Sequence, residues 1–137
     1  MTSRLNPYIS FHDTARPAME FYQSIFGGAL SLSTFGEFGA AGEPHADNIM
    51  HGMLETDSGY TIMASDTPPG MEVPAGSNIT VSLSGDDDDQ LRAYWERLSE
   101  GGTVVLALSR QMWGDEFGMC TDKFGISWMV NIAKSEA

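Results

Sequence analysis

His12, His45 and His51 are the residues of this 137-residue chain with the widest chemical range, because imidazole takes or gives a proton and binds metals near neutral pH. Three histidines make a metal site only if all of them converge. His12 closes a strand-like run and can act as a base or hold a substrate; the plainer alternative is a strand-end histidine satisfied by its neighbours. His51 sits mid-strand in IMHGML, and His45 lies in a glycine-rich stretch that is either a lid or open surface. His12 and His51 are therefore the catalytic candidates. Asp47, Glu55 and Asp66 form no spaced pair suited to acid–base work. The run Asp86–Asp89 lacks the alternating oxygens, central glycine and terminal glutamate of a calcium loop, and reads as a solvated helix cap. Cys120, in the apolar FGMCTD, reads as a buried inert thiol; a lone cysteine excludes an internal disulfide and a cysteine-based zinc cluster. Met112 and Trp113, in a glycine-containing loop between two strands, suit an apolar lid or an interface anchor. No nucleophile elbow, phosphate loop or H-E-x-x-H is present.

The elements that must position these residues come in two similar runs. In Asn78–Leu83, Ile79, Val81 and Leu83 alternate with Asn78, Thr80 and Ser82, as in a half-buried strand. Acidic residues follow, then Leu91, Tyr94, Trp95 and Leu98 at helical spacing, then Gly101–Gly102. Asn6–Gly28 repeats this plan: Pro7, Ile9 and Phe11 against Asn6, Tyr8, Ser10 and His12, then the stripe Ala18, Phe21, Tyr22, Ile25, Phe26, then Gly27–Gly28. Asp13 or Thr14 can cap that helix, and Pro17 is tolerated in its first turn. Three strands follow each helix, and GYTIM at 59–63 matches GISWM at 125–129. The reading is a single α+β domain of two paired βαβββ modules with curved mixed sheets around a cleft. The repeats span about 5–66 and 77–133, and the proline-rich linker about 67–76. The expected core includes Ile9, Phe11, Ile79, Val81, Leu83, Trp128 and Val130. The opposite faces carry Asn6, Tyr8, Ser10, His12, Thr61, Met63 and Ser65 in the first module, and Asn78, Thr80, Ser82, Ser127, Met129 and Asn131 in the second. Such a surface, polar but uncharged, suits a pocket with hydrogen-bonding groups; an ordinary half-exposed sheet is the alternative.

A formal charge of -12, with only 7 Lys+Arg, argues against nucleic acid or an anionic membrane as partner. The opening residues do not form a signal peptide and no apolar run is long enough to span a bilayer, so the expected location is cytoplasmic.

The opening NPYISF…ARPAMEFYQSIFGG and the closing RQMWGDEFGMCTDKFGISWMV resemble signatures of the PhnB-like branch of the glyoxalase/bleomycin-resistance (vicinal oxygen chelate) superfamily. The closing pattern is WG-x-x-FG followed by D-x-FG-x-x-W. The resemblance spans nearly the whole chain. It implies paired βαβββ modules, a homodimer, and a cavity within each curved sheet, bordered by the stretch that holds His51. In metal-dependent relatives four His, Glu or Gln side chains hold a divalent ion there. Those positions fall on Asn6, Asn78, Met63 and Met129, none of them a charged ligand, so no metal and no cofactor is expected. A methyltransferase name attached to some of these proteins finds no support in this chain, which lacks a glycine-rich strand–loop–helix for S-adenosylmethionine.

The functional expectation is a metal-independent protein binding a small apolar or mixed-polarity ligand. Its pocket would be drawn from Asn6, Tyr8, Ser10, His12, Met63, Ser65, Asn78, Thr80, Trp113, Met129 and Asn131. The alternative is a lyase, isomerase or dioxygenase with a non-standard metal site or none. A third reading is a structural or regulatory homodimer with a vestigial cleft.

Overall fold

The computed structural model describes residues 5–39, 41–68 and 79–133. The chain divides into two compact units, Met1–Val73 and Pro74–Ala137. In the first, β1 (Tyr8–Phe11), α1 (Ala15–Phe26), β2 (Ala29–Thr34), β3 (Ile49–Glu55) and β4 (Thr61–Asp66) build a sheet of order β1-β4-β3-β2. In the second, β5 (Val81–Gly85), α2 (Asp88–Ser99), β6 (Thr103–Arg110), β7 (Glu116–Thr121) and β8 (Ser127–Ile132) build a sheet of order β5-β8-β7-β6. Both sheets are mixed: β1 runs parallel to β4 and β5 to β8, the other pairings being antiparallel. The architecture is α+β, with the same βαβββ order in each unit.

Each helix covers one face of its own sheet. Ala15, Ala18, Met19, Tyr22 and Phe26 of α1 are buried, as are Ile9, Phe11, Leu54, Ile62 and Ala64 of the strands. Met19 belongs to this stripe, while Phe21 and Ile25 are only half-buried. In the second unit Leu91, Tyr94, Trp95 and Leu98 pack with Leu83, Cys120, Trp128, Val130 and Ile132. The expected core position at Ile79 is wrong: it is 73% exposed, because β5 begins only at Val81 and no strand holds Ile79 against α2. Val81 itself is half-buried.

The helix caps differ. Asp87 accepts a hydrogen bond from the Gln90 amide and acidic residues occupy the first turn of α2, the expected arrangement. Thr14 occupies the cap position of α1 without a side-chain bond. There the carboxylate comes from β4: Asp66, buried, accepts from the Ala15 amide at 2.9 Å and from the Ile49 amide at 2.8 Å.

The double glycine after each helix has one steric reason in both units. A Cβ on Gly28 would lie 2.0 Å from the Glu55 carbonyl oxygen, and one on Gly102 would lie 2.1 Å from that of Thr121. Glu55 and Thr121 close equivalent strands, β3 and β7.

Candidate functional site

On the first sheet, the face away from α1 follows from strand alternation around Gly52 and Leu54, which are buried on the helix side. His51 and Met53 therefore share the opposite face. The register sets Tyr8 opposite Met63, Met63 opposite Met53, and Met53 opposite Ser31. Beside this row, Ser10 faces Ser65 and Ser33 faces His51. The Tyr8 hydroxyl lies 3.3 Å from His51 Nδ1, with the two rings 5.9 Å apart. A hydrogen-bonding tyrosine–histidine pair thus flanks a floor of two thioethers.

The second sheet repeats the row. Ser82 is opposite Met129, Met129 opposite Met119, and Met119 opposite Leu106. In the next row Ser84, Asn131, Phe117 and Ser109 align. Asn131 donates to Asp115 at 3.0 Å, and Trp113 meets Phe117 edge-on at 5.9 Å. Each unit therefore carries a methionine pair at its centre, Met53–Met63 and Met119–Met129. Sequence reading named one member of each; Met53, Met119 and Phe117 were missed, although their alternation with Gly52, Gly118 and Cys120 marked their side.

The other candidates separate. His12 lies beyond the end of β1, exposed, 3.6 Å from the carboxylate of Asp13. Asp13 adopts φ 67 and accepts a 2.6 Å hydrogen bond from the Asn48 amide. Nothing places His12 in the Tyr8–His51 pair. His45 packs edge-on against Phe35 at 5.1 Å. The Asn6 amide donates to the carbonyl of Pro7, and Thr80 is half-buried just ahead of β5. Asn78 falls outside the described residues.

Asp122 and Cys120 serve the fold. Asp122 is buried; one oxygen accepts from the Phe124 and Ile126 amides and the other from the Trp128 indole at 2.9 Å. The D-x-FG-x-x-W pattern is thus a clamp on the β7–β8 turn, with both carboxylate oxygens accepting from local donors. Burial, and then the Asp122 charge, push the Cys120 thiol up to about 11, which removes the thiolate at neutral pH. Arg92 bonds both Asp88 and Glu116, which ties α2 to β7 and lowers the Asp88 carboxyl below its usual value.

The divalent ion implied by the resemblance does not suit these donors. Met63 and Met129 offer thioethers to a hard or borderline ion, and Asn6 a neutral amide. Among the described residues no three His, Cys, Asp or Glu side chains gather into a metal-binding group. No helix among them is long and apolar enough to cross a membrane.

Residues 4–130 match the family model of the glyoxalase/bleomycin resistance protein/dioxygenase superfamily. The chain is 29% identical to protein YjdN of Escherichia coli, over 96% of this chain and 97% of that one. Protein PA1353 from Pseudomonas aeruginosa has a similar structure, with a TM-score of 0.87, 32% identity, and 98% and 100% of the two chains covered. The PhnB protein from Bacillus cereus matches with a TM-score of 0.78 and 20% identity, over 96% and 100% of the two chains, which speaks to fold alone. Matched family, βαβββ order and sheet order agree: this chain belongs to the glyoxalase/bleomycin resistance protein/dioxygenase superfamily.

Proposed function

We propose that the protein binds a small molecule without a metal ion, as a homodimer, on the sheet faces that its helices leave open. The observation that carries this reading is the repeated row, Tyr8–Met63–Met53 and Ser82–Met129–Met119, with methionine at the positions where the resemblance implies a His, Glu or Gln ligand in metal-dependent relatives. Thioether side chains are flexible and polarisable and adapt to apolar ligands of irregular shape. The flanking Tyr8, His51, Ser10 and Ser65 supply a few directional polar groups, the usual composition of a small-molecule site. The ligand class that fits is a compact, largely apolar molecule with one or two hydrogen-bonding groups.

The test is a thermal-shift and fluorescence screen of uncharged aromatic and aliphatic compounds. A hit is then titrated against Met63→Glu and Met129→Glu. Loss of binding in either variant supports the reading, and unchanged binding in both overturns it. A second reading, proton-transfer catalysis, is favoured by the Tyr8–His51 contact. It requires turnover of a bound compound that disappears in His51→Ala, whereas simple binding requires none.

A further inference from the structure

Two thioethers and an imidazole come together on the open face of the first sheet. Met53 and Met63 are direct partners across β3 and β4, which sets their Cβ atoms about 5 Å apart. His51 precedes Met53 by two residues and shares its face, about 6.5 Å along the strand. Its ring turns inward. Strand β4 lies between β1 and β3, so the 3.3 Å contact between the Tyr8 hydroxyl and His51 Nδ1 passes over β4, where Met63 is the residue paired with Tyr8. The imidazole is thereby drawn across the sheet toward both sulfurs. Met53, Met63 and His51 are half-buried, and Tyr8 beside them is 52% exposed, which leaves a way in from solvent.

We propose that Met53, Met63 and His51 form a binding site for a soft monovalent ion, Cu(I). This goes beyond the metal-free binding proposed above: the organic ligand needs no ion, and the ion is a separate occupant of the first unit's floor. The donor set selects it. Hard cations take oxygen ligands, and borderline divalent ions take imidazole, carboxylate or thiolate. No three such groups gather among the described residues, whereas thioethers favour Cu(I) and imidazole suits copper as well. Cu(II), the form in aerated buffer, prefers nitrogen and oxygen ligands, so protein purified in air should carry no copper. Tyr8 is a positioning residue. With the Nδ1 proton donated to the Tyr8 oxygen, His51 turns the lone pair of Nε2 to the ion, as metal-bound histidines commonly do through their other nitrogen. The second unit is an internal control. Met119 and Met129 make the same pair, but all three histidines belong to the first unit, so that pair has no imidazole of its own.

The experiment is an anaerobic titration with Cu(I) against a chromophoric Cu(I) chelator, with Cys120→Ala as the background so that no thiol contributes. The expected result is one Cu(I) per chain. Met53→Leu, Met63→Leu and His51→Ala should each weaken binding by roughly 10-fold or more, and Tyr8→Phe by about 10-fold, the usual cost of losing a partner that orients a ligand. Met119→Leu and Met129→Leu should leave the affinity unchanged. Leucine conserves the volume of methionine, so these variants should fold, and circular dichroism verifies it. Should His51→Ala fail to fold, Ag(I), a soft redox-inert stand-in, is added to the protein with carbon-13 methionine methyl groups. The Met53 and Met63 signals should then move while those of Met119 and Met129 stay. No Cu(I) held against the chelator, equal affinity in the Met53 and Met63 variants, or Ag(I) shifts confined to Met119 and Met129 overturn the site. None of these outcomes touches the organic ligand, whose test is the titration against Met63→Glu and Met129→Glu.

Discussion

Asp66 and Asp122 show how a carboxylate that looks available for chemistry is consumed by the fold. Each is buried and each accepts hydrogen bonds on both oxygens from groups close by in space. Removing such an acceptor strands buried donors, at about 1–3 kcal/mol per group. Asp66→Ala should therefore cost about 2–4 kcal/mol in urea unfolding, since it orphans the amides of both Ala15 and Ile49. Asp66→Asn keeps one oxygen acceptor and should cost less. Cys120 gives a pH signature. Its thiol titrates near the ordinary 9 when unfolded and at about 11 when folded, so between those values the unfolded chain binds fewer protons. Stability then falls as pH rises from 9 to 11, by about 1.4 kcal/mol per pH unit from this group. The slope should be missing in Cys120→Ala when both proteins are unfolded at a series of pH values. Ellman's reagent should likewise leave the native thiol unlabelled at pH 8 and label it in denaturant.

At the scale of elements, the two units solve the same problem with the same glycines and different caps. Gly27 and Gly101 both adopt positive φ as the chain leaves its helix, and Gly28 and Gly102 then pass against strand backbone. Gly102→Ala has no flexible neighbour to displace, so thermal denaturation should show a loss of about 2–4 kcal/mol, in the range of overpacked and strained sites. The β3 and β7 strands each read through buried glycines, Gly52 and Gly118, beneath which the helix side of the sheet closes. This leaves His51, Met53, Phe117 and Met119 on the open faces. Helix α2 begins on its own aspartates, whereas α1 borrows Asp66 from β4, fifty-one residues away.

For the whole molecule, the proposed metal-free binding turns on methionine at the centre of each sheet. Elemental analysis of protein purified without chelator should find no stoichiometric metal. Zinc, nickel, iron or manganese at millimolar concentration should leave the melting temperature unchanged, since only an ion that binds the native state raises it. One divalent ion per chain would instead show that other ligands were available, and His12, His45 and His51 would be the first to mutate.

Strand and helix alternation, the twin glycine stops and the acidic cap of α2 were readable in the sequence, because each depends on local sterics and on periods of about 2 and 3.6 residues. The repeated βαβββ order and the open-face positions of Tyr8, Ser10, Met63, Ser65 and Met129 followed from that alternation. Ile79 did not, because where a strand begins depends on its partner's reach and not on its own pattern. Nor did the role of Asp66, the pairing of Met53 with Met63 and of Met119 with Met129, or the contact between Tyr8 and His51. These join residues ten to fifty-one positions apart, and only the register of strands laid side by side brings them together. The exposure of β6 was likewise hidden: an apolar run reads alike whether it fills a core or ends a sheet, and its place at the edge decides which.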